Sequence, residues 1–330
     1  MLKNTQNRGK IAIIGILLAL CIAFPAFSQT HSIGEVKDAL DTFAGNLVKT
    51  LPFNATMGLN WADAYVGKFP HFGVGASFGF TTMDDSSFNS LLNKFETSLP
   101  SALSGFGGFP IPGYTLEGRL GGFVLPFDIG FKFGIMPIKA GNIDRLDYFI
   151  IGGDVRYAVL EGNAVLPKVS VGMGYNYLSG GIGQTVGQDI NYGYDPDDPS
   201  SFITVKAPSI SIDWDASTLD FKAQISKSFI IVTPYLGIGA STGWSRTGFG
   251  VRTEVIDSNN DLEAAKEILR EYGIHDLDQN GFSSTVRSNG WGFRLFGGIS
   301  FNIAILRLDV TGMYNFRNEY GFTFGARIQI

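Results

Sequence analysis

Charged side chains recur within segments that are otherwise apolar or small. Thirteen of them fall on the opposite phase of an every-second-residue alternation from their apolar neighbours, six acidic and seven basic. Because successive side chains of a strand point to opposite faces, each segment has one apolar and one charged face. If such strands close into a barrel, the charged face lines its lumen. The near balance of sign then favours ion pairs across the lumen, and a solute path lined by charge is the alternative. The residues predicted to face the lumen are Glu117, Arg119, Asp128, Lys132, Asp154, Arg156, Asp213, Asp220, Lys222, Arg294, Arg307, Asp309 and Arg327.

A second group of oxygen-bearing side chains lies near residue 280. Asp276, Asp278, Asn280 and Gly281 match the first half of a calcium-binding loop, in which oxygens at alternate positions wrap the ion and glycine makes the turn. Position twelve of that loop is Arg287 instead of glutamate. The segment therefore predicts either a weak calcium site or a polar Asn-Gly turn.

Residues that could carry out catalysis are sparse. The three histidines, His31, His71 and His275, have no serine or carboxylate at a recognisable motif spacing. The single cysteine, Cys21, lies within an N-terminal apolar run. We therefore expect no enzymatic activity and no cofactor.

The N-terminus has the layout of an export signal. Three basic residues precede an apolar run over residues 11–23, and Ala26 and Ser28 then provide small side chains before a cut at Gln29. Residues 1–28 are therefore predicted to be a cleaved Sec-type signal peptide. Lipidation at Cys21 is the alternative, although Leu20 stands where a small residue is preferred.

Charge and hydropathy narrow the class of the mature chain. Removal of Lys3, Arg8 and Lys10 with the signal takes the net charge from −5 to −8, which argues against nucleic acid as a partner. No later apolar run is long enough for a transmembrane helix, which needs about 20 residues. The mature chain is therefore either soluble or crosses a membrane as a closed barrel.

The alternating segments favour the barrel. The last eleven residues place six apolar side chains on one face, and about 9–11 residues suffice for a tilted strand to cross a bilayer. Similar alternation marks residues 53–61, 72–80, 127–135, 149–157, 169–177, 210–225, 232–244, 291–301, 306–315 and 320–330. We predict an all-β fold, a transmembrane antiparallel β-barrel over residues 53–330 with about 12 strands, in a range of roughly 10–14. The alternation changes phase near Thr218, which predicts either a β-bulge or a hairpin.

An amphipathic helix precedes the predicted barrel. Apolar residues recur at helical spacing between Ile33 and Leu51, with charged residues on the other face. The segment 29–52 is predicted to form an N-terminal helix that either plugs the lumen or lies at the periplasmic mouth. Three insertions, 83–112, 180–205 and 248–286, interrupt the alternation, and at least the last two are expected at the cell surface.

Several short motifs give a family likeness. Asn60-Trp61-Ala62-Asp63-Ala64-Tyr65, Phe69-Pro70-His71-Phe72-Gly73 and Thr233-Pro234-Tyr235-Leu236-Gly237 resemble recurring features of uncharacterised outer-membrane barrels of spirochaetes. The C-terminal strand resembles the signal read by the barrel-assembly machinery, although it ends on Ile330 instead of an aromatic residue. The N-terminal helix is similar in placement to the plug of long-chain fatty-acid transporters, without their motifs.

These features together predict an outer-membrane channel or transporter for small solutes, gated by the N-terminal helix. Two alternatives remain open: a surface structural or adhesive barrel with a filled lumen, and fatty-acid-transporter-like uptake of a hydrophobic ligand. The expected partners are outer-membrane lipid, the barrel-assembly machinery and the transported solute or ligand.

Overall fold

The computed structural model describes most of the chain after residue 32. The described residues are 33–84, 86, 89, 108–135, 138–140, 143–185, 189–193, 202–207, 209–252, 254–257 and 282–330. The predicted signal peptide and the calcium candidates Asp276, Asp278 and Asn280 lie outside these residues.

One long helix and fourteen strands are described. The helix, α1, spans Ile33–Ala55. The strands are β1 (Phe72–Met83), β2 (Phe109–Gly121), β3 (Phe127–Ile135), β4 (Ile138–Ala140), β5 (Ile143–Leu160), β6 (Lys168–Thr185), β7 (Ile190–Gly193), β8 (Phe202–Val205), β9 (Ser209–Ser226), β10 (Val232–Arg252), β11 (Val255–Asp257), β12 (Phe282–Ile303), β13 (Leu306–Asn315) and β14 (Glu319–Gln329). Among the described residues, no helix has the length and apolar content that crossing a bilayer requires.

Ten of the strands close into an antiparallel barrel. Their order is β3-β2-β1-β14-β13-β12-β10-β9-β6-β5, and pairing of β3 with β5 completes the ring. The short strand β4 extends the edge of β5, and β7, β8 and β11 form a separate sheet. Closure leaves no free edge around the ring, so backbone donors and acceptors are paired within the wall.

The barrel has ten strands, which is the lower limit of the predicted range of 10–14 and two fewer than the favoured number of about twelve, and two segments account for the difference. Residues 53–61 are not a strand: α1 continues to Ala55, and the chain then runs through the lumen without regular structure until β1 begins at Phe72. The alternation there was misleading because the polar residues between the apolar ones are buried as well. Asn54, Thr56 and Asn60 are each less than 10% exposed.

The change of phase near Thr218 is neither a bulge nor a hairpin. Strand β9 pairs in continuous register with both neighbours from end to end. Its even-numbered residues face the lumen throughout, so Ile210 and Ile212 point inward while Asp213 points outward. The prediction that Asp213 lines the lumen was therefore wrong. The inward face becomes apolar here because it packs against α1.

The two ends of the barrel differ. Residues 122–126, 161–167, 227–231 and 304–305 make short connections at one end, here called the turn end. The long connections all lie at the opposite end, the loop end. Five neighbouring strands, β5, β6, β9, β10 and β12, have 18 to 22 residues each, whereas β13 and β14 have 10 and 11. The longer strands extend one side of the wall beyond the other at the loop end.

The outer face is apolar along the middle of these strands. On β10, the outward residues Leu236, Ile238 and Trp244 are each more than half exposed, and Trp291 and Phe293 continue this surface on β12. A surface this apolar is the reverse of the usual arrangement in water, and large exposed apolar patches mark contact with a membrane or a partner.

The chain enters the barrel from the loop end. Near the start of α1, Asp41 accepts a hydrogen bond of 2.7 Å from Ser284, close to the loop end of β12. The segment that follows, residues 56–71, is here called the lumen segment. It reaches the turn end, where the His71 carbonyl accepts a 2.9 Å bond from the Gly121 amide. Together α1 and the lumen segment traverse the barrel interior.

Gly121 is needed for this exit. A Cβ at this position would lie 1.5 Å from the carbonyl oxygen of Gly67, which is backbone and cannot swing away. We expect Gly121→Ala to lower the free energy of unfolding by about 1–3 kcal/mol through overpacking. The measurement is the urea midpoint of the refolded barrel in detergent.

The matched control is Gly118→Ala on the same strand, where the nearest atom is 3.9 Å from the added Cβ. Equal urea midpoints for the two variants would show that the lumen segment is not seated against β2 in solution.

Candidate functional site

The largest group of interacting charges lies inside the barrel wall near the turn end. Arg119 contacts Asp128 at 2.5 Å and Asp154 at 2.7 Å, and Arg156 contacts Asp128 at 2.7 Å. Lys222 closes the group at 2.6 Å from Asp154. These five residues, here called the central cluster, come from β2, β3, β5 and β9, and all are buried. Because an unpaired charge is very costly away from water, each one depends on its partners.

Glycines on neighbouring strands make room for the cluster. In the strand register Gly130 lies opposite both Arg119 and Asp154, and Gly172 lies opposite both Arg156 and Lys222. A Cβ at Gly130 would meet a carboxylate oxygen of Asp154 at 2.4 Å and a guanidinium nitrogen of Arg119 at 2.6 Å. Because a glycine lies opposite each of these long charged side chains, the side chains have room to lie against the inner wall of a narrow barrel.

Two smaller ion-pair groups flank the central cluster. Arg294 donates to Asp220 at 2.8 Å, and its guanidinium lies 5.3 Å from the centre of the Phe296 ring. On the far wall Arg327 pairs with Asp309 and, at 3.2 Å, with Asp63 of the lumen segment.

Glu117 and Lys132 bind the lumen segment instead of another charge. The Glu117 carboxylate accepts hydrogen bonds from the Leu59 amide at 2.9 Å and the Trp61 indole at 2.6 Å. The Lys132 ammonium donates to the Ala55 carbonyl at 2.7 Å and to the Met57 carbonyl. The wall therefore recognises the segment mainly through backbone groups and one indole.

The remaining wall contacts follow the segment toward the turn end. Gln224 donates to the Trp61 carbonyl at 2.7 Å, and Ser226 accepts from the Ala64 amide at 2.9 Å. Arg156 donates to the Asp63 carbonyl at 2.8 Å. Central-cluster residues thus serve twice, pairing with one another and holding the segment.

Trp61 lies between two cations. Its ring centre is 5.7 Å from the Arg119 guanidinium and 4.7 Å from that of Arg327. Cations over an aromatic face are attracted by its electron density, an effect of up to about 2 kcal/mol where water is excluded. Trp61 therefore links the central cluster to the Arg327 group across the lumen.

Helix α1 fills the loop-end half of the lumen by apolar packing. Leu40, Phe43 and Leu47 are buried against inward residues of the extended strands, including Ile212 and Phe249. The cavity beside the helix measures about 60 Å³, and the one beside Pro52 about 20 Å³. Ligand pockets usually enclose about 300–1,000 Å³, so neither cavity admits a solute of ordinary size.

The structure places the predicted lumen residues as follows. Glu117, Arg119, Asp128, Lys132, Asp154, Arg156, Lys222, Arg294, Asp309 and Arg327 are buried inside the barrel, as is Asp220, and Arg307 is half-buried opposite Arg327 on β13. Whether any of them meets a solute stays a prediction.

Sequence reasoning missed the residues of the lumen segment that complete these groups. Trp61 had been assigned to a strand over residues 53–61 and Asp63 had been given no role, so their contacts with the wall were not anticipated. The sequence offered no signal against a strand here, because Asn54, Thr56 and Asn60 share one phase of the alternation and only the structure shows that they are buried.

Two serines match the G-x-S-x-G pattern of hydrolases, Ser77 and Ser241, and the sequence reasoning gave them no role. Both lie within strands, on β1 and β10, and not on the strand-to-helix turn that the motif requires. Among the described residues, no group of three His, Cys, Asp or Glu side chains is arranged to hold a metal ion.

The fold and the site define a class of protein: a ten-stranded antiparallel β-barrel whose lumen is filled by its own N-terminal segment. The chain belongs to a family described as "Family of unknown function (DUF6588)", whose model matches residues 158–330. No curated protein matches the sequence. The resemblance to spirochaete barrels stays a prediction.

Solved structures give distant likenesses. Ail, the attachment invasion locus protein of Yersinia pestis in complex with the heparin analogue sucrose octasulfate, is 9% identical with a TM-score of 0.27, over 79% of this chain and 97% of that chain. A Pseudomonas aeruginosa FadL homologue is 8% identical with a TM-score of 0.24, over 78% and 89%. A mutant Rh. blastica porin is 9% identical with a TM-score of 0.19, over 78% and 99%. Scores this low define no shared function.

Breaking the central cluster tests its energetic weight. We expect Arg156→Met to lower the free energy of unfolding by about 3–5 kcal/mol, because Asp128 loses one of its two cations while it stays buried. Urea denaturation in detergent, followed by the gel mobility of the folded form, measures the change.

The control is Arg145→Met, which removes two ion pairs, to Asp147 and Asp213, in which all three side chains are about half exposed. Its cost should stay within about 1 kcal/mol. If Arg156→Met were as mild as this control, the cluster would be open to water in solution.

Proposed function

We propose that the protein is an outer-membrane β-barrel, sealed in the described conformation, that acts through its loop end at the cell surface. The exterior supports the membrane part of this proposal. Only helices and closed barrels satisfy their backbone groups in lipid, and here a closed wall carries a band of exposed apolar and aromatic side chains. Export by a Sec-type signal and insertion by the barrel-assembly machinery belong to the same proposal.

The orientation follows from the connections. Barrels in the outer membrane have short periplasmic turns and long external loops. The turn end of this barrel would therefore face the periplasm and the loop end the outside. In that orientation the extended side of the wall, formed by β5, β6, β9, β10 and β12, rises above the membrane surface.

One observation supports the proposed sealed state: the wall binds the lumen segment inside the barrel in the way that it would bind a ligand. Glu117, Lys132 and Gln224 each contact it through buried hydrogen bonds, and the charges left over pair with one another. The two cavities beside α1, of about 20 and 60 Å³, are smaller than a solute. A barrel filled in this way fits a surface structural or binding role better than a permanently open pore.

A second function, gated passage of a small solute, is favoured by how the segment is attached. Residues 56–66 belong to no strand of the barrel, and the contacts that hold them in the lumen are mainly hydrogen bonds to side chains of the wall. Such a segment could leave the lumen without breaking the ring of strands, and water could then solvate Lys132 and Glu117. Uptake of a hydrophobic ligand would require the 60 Å³ apolar cavity beside α1 to open severalfold.

Planar-bilayer recording separates the two functions. We expect the intact mature chain to insert without conductance steps, because the lumen segment and α1 block the path. A variant lacking residues 33–66 should conduct in discrete steps, because the block is gone while the ten strands remain. Conductance steps from the intact chain would overturn the sealed state.

A crosslink keeps the test decisive if the shortened variant fails to fold. Asp41 and Ser284 touch across the interface between α1 and the wall, so Asp41→Cys together with Ser284→Cys offers a disulfide at the loop end. If the barrel is permanently sealed, we expect no conductance from either the oxidised or the reduced form. Current that appears only after reduction would instead establish the gated function.

A further inference from the structure

A polar cleft lies on the outside of the barrel near the loop end. It encloses about 700 Å³ between outward residues of the five extended strands. Six charged side chains line it: Arg145, Asp147, Asp213, Asp215, Arg246 and Arg287. The lumen site uses none of these six residues.

The arginines of the cleft are arranged for an anion. Arg246 on β10 and Arg287 on β12 are direct cross-strand neighbours on the same outward face. Like charges in this position repel unless an anion lies between them. Arg246 has one carboxylate partner, Asp215 at 2.6 Å, and no described carboxylate lies within ion-pair distance of Arg287. More than half of the Arg246 side chain is exposed, so its guanidinium is open to a ligand.

An apolar groove continues the cleft toward the turn end on the same strands. It encloses about 1,300 Å³, and its floor includes small outward residues, Gly153, Ala223 and Ala240. Larger side chains such as Tyr175 and Phe293 border it. On β6 the groove residue Tyr175 and the cleft residue Tyr177 occupy successive outward positions. A ligand with an apolar body and a charged head could therefore occupy both.

The level of the cleft relative to the apolar band points to a membrane interface. Trp244 precedes Arg246 by one outward position on β10, and Trp291 lies two outward positions from Arg287 on β12. Aromatic residues gather where the hydrocarbon ends, and charged residues on the outer face of a barrel cost little only near that boundary. The six charges thus lie at the level of lipid headgroups in the outer leaflet.

We propose that the cleft and groove together bind one phosphate-bearing lipid of the outer leaflet, with phosphate between Arg246 and Arg287 and acyl chains in the groove. Guanidinium groups bind phosphate through paired hydrogen bonds, which ordinary zwitterionic headgroups satisfy less well because they bring their own cation. Asp147 and Asp213 then hold Arg145 in place at the rim, beside saccharide or glycerol hydroxyls. This proposal rests on the outer wall facing a bilayer.

Native mass spectrometry of the intact mature chain tests the proposal. The purified barrel is titrated in detergent with diphosphoryl lipid A, with phosphatidylcholine and with inorganic phosphate. We expect one lipid A molecule to be retained per barrel in preference to phosphatidylcholine. The double variant Arg246→Gln with Arg287→Gln should bind lipid A at least about tenfold more weakly, because both phosphate donors are lost.

The matched control is Arg252→Gln, on the same strand and the same outward phase as Arg246 but three outward positions farther from the apolar band. Its lipid affinity should equal that of the unmodified chain. A second variant, Ala223→Phe with Ala240→Phe, fills the groove and should weaken lipid A binding while the cleft stays intact.

Each contrary result has a distinct meaning. Unchanged lipid A binding in the arginine variant, or equal loss in the Arg252 control, would overturn the site. Displacement of lipid A by excess inorganic phosphate would show a site for free anions and would overturn a lipid ligand, as would unchanged binding in the groove variant. A chain that stayed dissolved without detergent would instead overturn the membrane location itself.

Discussion

Pairing of buried charge is the constraint on which the rest of this barrel depends. A cylinder of ten strands is too narrow to surround its inward arginines and lysines with bulk water once α1 and the lumen segment are inside. Each buried inward charge must therefore find an opposite charge or hydrogen-bonding groups of the right polarity, carbonyls for a cation and N–H or O–H groups for a carboxylate. The central cluster meets this requirement, with Asp128 held between Arg119 and Arg156. Buried ion pairs add little net stability compared with apolar packing, but the loss of one partner is strongly destabilising. Their effect is therefore to select one arrangement of the wall and the lumen segment more than to increase the overall stability.

The same constraint explains why the lumen segment has no regular structure. A helix, or a strand that is paired in a sheet, has its backbone groups already hydrogen-bonded and leaves few for the wall to bind. Residues 56–66 instead offer free amides and carbonyls, which Glu117, Lys132 and Gln224 take up. The segment thereby absorbs the charges that the central cluster leaves over, and the wall supplies the donors and acceptors that the segment lacks. Without the lumen segment the wall has unpaired buried charges, and without the wall the lumen segment has unpaired backbone groups.

The sequence was informative where only one face of a strand packs against protein and uninformative where both faces do. The alternation correctly indicated the all-β barrel class and the approximate strand number, because the outer face of the wall is apolar along the middle of its strands. It failed at residues 53–61 and at Asp213. At residues 53–61 the chain is buried on all sides, and near Asp213 the inward face of β9 is apolar because it packs on α1. In neither place does the hydrophobicity of a residue indicate whether its side chain points inward or outward. The pairings within the central cluster could not be predicted, because the alternation gives the face on which a side chain lies and not the register between strands that decides which charges meet.

The lumen therefore has two halves held by different forces. At the loop end, apolar residues of α1 pack on Ile212 and Phe249, and this contact weakens little with salt or pH. At the turn end, ion pairs and hydrogen bonds hold the lumen segment, and these lose their strength once water enters, because a high dielectric screens them. Withdrawal of α1 would remove the apolar half first and admit water to the charged half. Helix α1 thus protects the ion pairs at the turn end from solvent. The stability of those ion pairs therefore depends on apolar packing in the other half of the barrel.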